Sequence, residues 1–148
     1  MRYIFVVNPH AGEADLTEKI RASVVRLPAA EDCDVYVTKG PGDATKFVKD
    51  WCAMHPDEAA RFIACGGDGT VNEVFSGAAG KEHVSVTCYP CGSGNDFVKA
   101  FGGAERFLDI PALLRAPCRN GRRPDRGVPD QAHFKAPLPQ NSETVYRR

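Results

Sequence analysis

With 148 residues, 43% of them hydrophobic and 26% charged, the chain has the length and composition of one globular domain that can bury a core without metal or disulfide staples. Its 19 Lys+Arg balance 19 Asp+Glu, which removes any general reason to expect a nucleic-acid or membrane-surface partner. No apolar stretch approaches the roughly 20 residues that span a bilayer, and the first apolar run ends at Asn8-Pro9 instead of a small-residue cleavage site, so a cytoplasmic chain is expected.

The neutrality hides an asymmetry: residues 115–148 hold eight Lys/Arg against three Asp/Glu, and residues 1–114 carry the opposite excess. Six cysteines (Cys33, Cys52, Cys65, Cys88, Cys91, Cys118) are scattered through apparent strands and helices, so reduced thiols are the simpler reading.

In chain order, Tyr3-Ile4-Phe5-Val6-Val7 is a continuous apolar run of the kind buried on both faces of a parallel sheet. Over 14–27, Leu16, Ile20, Val24 and Leu27 fall on one face of a helix that Pro28 ends. A second strand is expected at 34–38. After a Gly40-Pro41-Gly42 turn, Asp43 serves as N-cap of a helix carrying Phe47, Val48, Trp51 and Met54. A third strand, 61–65, runs into Gly66-Gly67-Asp68-Gly69, and a helix resumes over 70–77. A fourth strand, 84–89, meets Pro90-Cys91-Gly92-Ser93-Gly94, and 96–101 reads as helix. Strand-to-helix alternation of this kind predicts an α/β fold, an open parallel sheet with helices on both faces. From Arg115 the pattern gives way to five prolines and seven arginines without periodicity, and a disordered tail is expected.

Ligands of open parallel sheets bind beyond the carboxyl ends of the strands. Each such loop here is small, polar and backbone-exposing: Asn8-Pro9-His10-Ala11-Gly12, then Thr38 with the turn at 40–43, then Gly66-Gly67-Asp68-Gly69-Thr70, then Gly92-Ser93-Gly94-Asn95-Asp96. Glycines let the backbone approach phosphate oxygens, and the following helix offers unpaired N–H groups and a partial positive charge. Asp68, at the apex of the third loop, suits such a site if it holds Mg²⁺ directly or through water, and Asn72 and Glu73 are expected to face the same cleft. As a plain β-to-α turn, the third loop would leave Asp68 only a capping role.

A G-x-G-x-x-G after the first strand is absent, and Gly77-Ala78-Ala79-Gly80-Lys81-Glu82 has neither the glycine spacing nor the Ser/Thr of a P-loop. Rossmann dehydrogenases and Walker NTPases are therefore disfavoured. Cys88-x-x-Cys91 lacks the helix that should follow at once to stabilise a thiolate. Of four histidines, His10 alone sits in a phosphate-type loop.

In order and approximate spacing, Asn8-Pro9-x-x-Gly12, Gly66-Gly67-Asp68-Gly69-Thr70-x-Asn72-Glu73 and Gly92-Ser93-Gly94-Asn95-Asp96-Phe97 resemble the diacylglycerol kinase catalytic domain of bacterial lipid kinases and of sphingosine and ceramide kinases. The likeness covers residues 1–114. It implies the NAD kinase/diacylglycerol kinase type of N-terminal domain, with residues 8–12 (Asn8, Pro9, His10 and Gly12 among them) and Thr38 on the nucleotide. Residues 67–73 would wrap the phosphates and metal, with Asp68 as metal ligand and catalytic carboxylate, and Ser93, Asn95 and Asp96 would close the site. The implied reaction moves the γ-phosphoryl of ATP, with Mg²⁺, to a lipid hydroxyl such as that of diacylglycerol, met transiently at the membrane surface; homodimerisation is left open.

Family members continue into a larger, mostly β-sheet second domain that forms the lipid pocket and supplies a proposed general base. Residues 115–148 resemble nothing in it. A truncated or frame-shifted gene end is one expectation, a natural tail of the same composition the other. Two further readings stand beside the lipid kinase. An NAD kinase shares the features of 66–73, and a non-catalytic nucleotide-binding module would bind Mg-ATP without turnover.

Overall fold

The computed structural model describes residues 1–92, 95–100 and 102–115. In chain order these form β1 (Arg2–Val7), α1 (Thr17–Val25), β2 (Cys33–Val37), α2 (Asp43–Met54), β3 (Ala60–Gly66), α3 (Asp68–Ala78), β4 (Val84–Pro90), α4 (Asp96–Ala100) and α5 (Ile110–Arg115), with 3₁₀ turns at Ala30–Asp32 and Ala104–Phe107. The sheet is wholly parallel in the order β2-β1-β3-β4. The two central strands are the most apolar: Ile4, Phe5 and Val6 of β1 are fully buried, as are Phe62, Ile63, Ala64 and Cys65 of β3. β2, at an edge, is only half-buried, which is why its sequence alternates more.

Tyr3, Arg61 and Ser85 are register partners and so share one face of the sheet. The buried Arg61 guanidinium donates to Ser85 Oγ and to the carbonyl of Leu113, and the Tyr3 hydroxyl donates to the carbonyl of Leu114, seating α5 on that face. On the opposite face, Trp51 of α2 meets Phe62 edge-on at 5.4 Å and Phe47 stacks on Tyr36 at 3.7 Å. Helices therefore cover both faces, as the alternation predicts. The chain leaves β1 for β2 on one side and returns to β3 on the other, so the crevice between the carboxyl ends of β1 and β3 is a topological switch point.

Element ends differ from expectation for local reasons. α1 begins at Thr17, three residues later than periodicity implies, because the Asp15 carboxylate takes the Thr17 N–H at 2.8 Å. It ends at Val25, since Arg26 and Leu27 close with tighter bonds to Ser23 and Val24 ahead of Pro28, which disfavours helical backbone before it. Gly42, at φ 82°, occupies the cap position of α2 expected for Asp43, which is the first helical residue. α3 starts at Asp68, two residues early. Arg115 closes α5; the tail expected beyond it lies outside the described residues, as do Ser93, Gly94 and Phe101.

Candidate functional site

Asn8 follows β1 directly, and its N–H donates to Cys65 O of β3 at 2.9 Å, which fixes where the first loop leaves the sheet. Its side chain then works in both directions: Oδ1 accepts the His10 N–H at 3.0 Å, and Nδ2 donates to Thr70 Oγ1 at 3.1 Å. One amide thus shapes its own loop and ties it to the first turn of α3. Gly12, at φ 84°, lies against the loop that follows β4, where a Cβ would stand 2.1 Å from the Cys91 carbonyl oxygen. Cys91 in turn donates its N–H to Gly66 O at 3.1 Å. A Cβ on Gly92 would fall 2.6 Å from the Gly67 Cα. The loops after β1, β3 and β4 therefore pack backbone on backbone, which only glycine permits at these contacts.

Between them lies a cleft of about 390 Å³, walled by Asn8, Ala11 and Gly12 from the first loop, Gly67, Asp68, Gly69 and Thr70 from the third, and Gly92 from the fourth. Among the described residues no Lys or Arg stands in this wall, and the donors it offers an anion are backbone N–H groups and the amino end of α3. The carboxylate of Asp68 in this wall accepts the N–H groups of Asp96 and Phe97, each at 3.1 Å, and these hold its carboxyl below the usual carboxylate range. Asp68 thereby joins the start of α3 to the start of α4. Phe97 completes that junction against Phe75 of α3 at 5.6 Å and Phe107 at 6.2 Å. Asn95 takes the left-handed φ of 49° and donates its side-chain amide to Gly92 O, while Asp96, beside the cleft, pairs with Lys99 at 2.9 Å.

Of the residues singled out in the sequence, Asn8, Gly12, Gly67, Asp68, Gly69, Thr70 and Gly92 meet at this wall. Pro9 and His10 belong to the first loop without lining it, and Gly66 is the last residue of β3 beneath it. Thr38 is buried past the end of β2, its N–H on Val7 O at 2.8 Å. Asn72 is exposed and outside the lining. Glu73 does not face the cleft as expected: its carboxylate turns to the amino end of α2, accepting Gly42 N–H at 2.9 Å and Ala44 N–H at 3.2 Å. The second loop, expected to join the anion cradle, thus has an anion of the protein's own. Ser93 and Gly94 lie outside the described residues. Ala11, within the span 8–12 expected on the nucleotide, lines the wall. Sequence reasoning missed Cys91 as the carbonyl under Gly12, and nothing in the sequence points to it.

The described cysteines are free thiols. Burial pushes the thiol of Cys88 up to about 12 and that of Cys91 up to about 11, which leaves neither as a thiolate at neutral pH. Among the described residues, no group of three or more His, Cys, Asp or Glu is placed to hold a metal by itself, and no helix is long and apolar enough to cross a membrane.

Residues 2–124 match the sequence profile of the diacylglycerol kinase catalytic domain. The chain is 35% identical over 109 residues to a Pseudomonas fluorescens protein described as "Probable lipid kinase YegS-like", covering 68% of this chain and 36% of that one. It is 34% identical over 97 residues to a diacylglycerol kinase of Staphylococcus aureus, covering 64% of this chain and 30% of the relative. The crystal structure of a diacylglycerol kinase from Bacillus anthracis superposes with a TM-score of 0.57 at 31% identity, over 76% of this chain and 38% of the other. The chain thus spans roughly a third of the length of these relatives. Profile, relatives and fold agree with the order of the loop motifs, and the chain belongs to the diacylglycerol kinase catalytic domain family.

Proposed function

We propose that the cleft binds the phosphates of ATP together with Mg²⁺, and that the chain serves transfer of the γ-phosphoryl group to a lipid hydroxyl, with diacylglycerol the acceptor its relatives' names suggest. The observation that carries this reading is the backbone-on-backbone packing of the loops after β1, β3 and β4 at the switch point, with Gly12 and Gly92 admitting no Cβ. Such a wall recognises oxyanions through N–H groups, and the eleven-residue α3 adds its positive end.

The donor set fits the metal. Mg²⁺ is commonly held by one or two carboxylates, substrate phosphates and waters, and the wall offers one carboxylate, each of whose oxygens accepts one N–H and keeps acceptor capacity. When bound, Mg²⁺ neutralises charge on the β- and γ-phosphoryl groups. Asp68, kept ionised by its two N–H donors, acts here through its charge and not as a proton acceptor. Asn8 holds Thr70 in place, and the third and fourth loops orient the phosphates.

Because the wall has a carboxylate and, among the described residues, no basic side chain, nucleotide binding should depend on the metal. Mg-ATP at 100 times its dissociation constant should add about 2.7 kcal/mol to stability, which raises the melting midpoint by several degrees. ATP with EDTA, and NAD with Mg²⁺, should raise it far less, and Asp68→Asn should lose most of the Mg-ATP effect. Equal stabilisation by ATP with and without the metal would sink the Asp68 assignment; stabilisation by NAD alone would turn the reading to an NAD kinase. With binding in hand, radiolabelled phosphate transfer to diacylglycerol vesicles tests the acceptor.

A further inference from the structure

The hydrogen bonds of Glu73 lead out of the cleft and onto the neighbouring helix. Its two carboxylate oxygens accept the N–H groups of Gly42 and Ala44, at 2.9 and 3.2 Å, and its main-chain carbonyl accepts Thr45 Oγ1 at 3.0 Å. Three bonds from one residue of α3 converge on the first turn of α2, where an anion is also favoured by the helix dipole. One turn further along, Gly77 lets the two backbones close, since a Cβ there would stand 2.7 Å from Val48 Cβ and 2.9 Å from Thr45 O. Glu73 pins the joint at the end near the cleft, and Gly77 lets it close at the other.

α3 is a single rigid element, and its first residues, Asp68, Gly69 and Thr70, form a side of the cleft wall. Glu73 lies five residues, about 7.5 Å of helix rise, from Asp68. Any change in the rotation or height of α3 against α2 is therefore carried directly to Asp68 and to the Thr70 hydroxyl that Asn8 must reach.

We propose that Glu73 is a positioning residue of the nucleotide site, acting through α3 without touching the ligand: its carboxylate, seated on the amino end of α2, sets where Asp68, Gly69 and Thr70 stand. This rests on the reading of the cleft as a nucleotide site. It also explains why the β2 loop, glycine-bearing like the others, does not line the cleft: the anion that its helix end attracts is Glu73.

The test compares the wild-type chain with Glu73→Ala, Glu73→Gln and Tyr3→Phe, the last removing one hydrogen bond on the opposite face of the sheet. Two quantities are measured at a temperature where each variant is folded: backbone amide shifts of residues 66–70 without nucleotide, and the Mg-ATP dissociation constant by calorimetry. Glu73→Ala should displace the amides of Asp68, Gly69 and Thr70 and weaken Mg-ATP about tenfold, or about 1.4 kcal/mol. Glu73→Gln, which keeps one acceptor oxygen, should recover part of both, and Tyr3→Phe should move neither. Unmoved amides at 68–70 in a folded Glu73 variant, or equal weakening by Tyr3→Phe, would overturn the proposal. If Glu73→Ala does not fold, the same comparison is decided by Glu73→Gln. A wild-type chain that binds no Mg-ATP would defeat the nucleotide reading instead, and the ligand-free amide shifts would still decide whether Glu73 positions α3.

Discussion

The loops after β1 and β2 look alike in sequence, each with a proline and glycine at the carboxyl end of a parallel strand, yet the fold uses them in opposite ways. The first is pressed against the third and fourth loops, with Gly12 over the Cys91 carbonyl and Asn8 reaching Thr70. The second is filled from within: Asp43 accepts the Tyr36 hydroxyl and the Lys39 N–H, and Glu73 accepts the N–H groups of Gly42 and Ala44. The second thereby satisfies unpaired donors at the start of α2 with the protein's own carboxylate. The first instead borders the cleft it shares with the loops after β3 and β4. Glycine content alone does not tell the two apart: Gly12 admits a close backbone approach, whereas Gly42 takes φ 82° with nothing within 4 Å of a Cβ.

Substituting the glycines should break this contrast most sharply. Gly12→Ala forces a side chain into positive φ and onto the Cys91 carbonyl, so the first and fourth loops must separate. It is expected to lose about 2–3 kcal/mol of stability and to lose Mg-ATP binding. Gly40→Ala in the second loop meets nothing within 4 Å, and its φ lies outside the left-handed range. It should be neutral or gain up to about 1 kcal/mol by stiffening the unfolded chain, with binding unchanged. Urea unfolding and calorimetry of the two variants measure both effects. Equal loss in both would mean that the two loops are not distinguished as described.

The same contrast marks what was legible in the sequence. The continuous apolar runs of β1 and β3 exposed the central strands, and the alternation of strands and helices exposed a parallel sheet, because burial on both faces leaves no other composition open. The glycines around Asp68 located the cleft, since close backbone approach has a local signature. Glu73 was misplaced because its partners, Gly42 and Ala44, lie some thirty residues away, and helical spacing alone cannot tell which neighbour a carboxylate will meet. Arg61 gave no sequence signal as an anchor: its partners at Leu113 and Leu114 belong to a six-residue helix too short for periodicity to reveal.

Acid should separate the two loops more gently. The Lys39 N–H and the Tyr36 hydroxyl hold the Asp43 carboxyl below its usual range, and the N–H groups of Asp96 and Phe97 do so for Asp68. In the unfolded chain both return to about 3.9. A folded value below the unfolded one means that the unfolded state binds more protons as pH falls, so this stabilisation is present above the unfolded value and is lost as pH falls through the folded one. Asp43→Asn and Asp68→Asn should each flatten the fall in urea midpoint below about pH 5, while only Asp68→Asn removes the Mg-ATP effect at neutral pH. An acid limb as steep in both variants as in the wild type would show that neither carboxylate contributes as its hydrogen bonds imply.

The smallest effect should come from Thr45, which separates charge from neutral hydrogen bonding at the joint between α2 and α3. Its hydroxyl donates to the main-chain carbonyl of Glu73 at 3.0 Å, beside the two bonds made by the carboxylate. Thr45→Val preserves the side-chain shape and removes one neutral bond from a carbonyl that sits within a helix, a loss of about 0.5–1 kcal/mol. Charge-assisted bonds are roughly twice as strong, so Glu73→Gln should destabilise more than Thr45→Val although it deletes no heavy atom. Unfolding midpoints of the two variants and of the double variant give the coupling directly. If Thr45→Val costs as much as Glu73→Gln, the joint is held by packing around Gly77 and not by the carboxylate, and the second loop's anion would be a consequence of that packing instead of its cause.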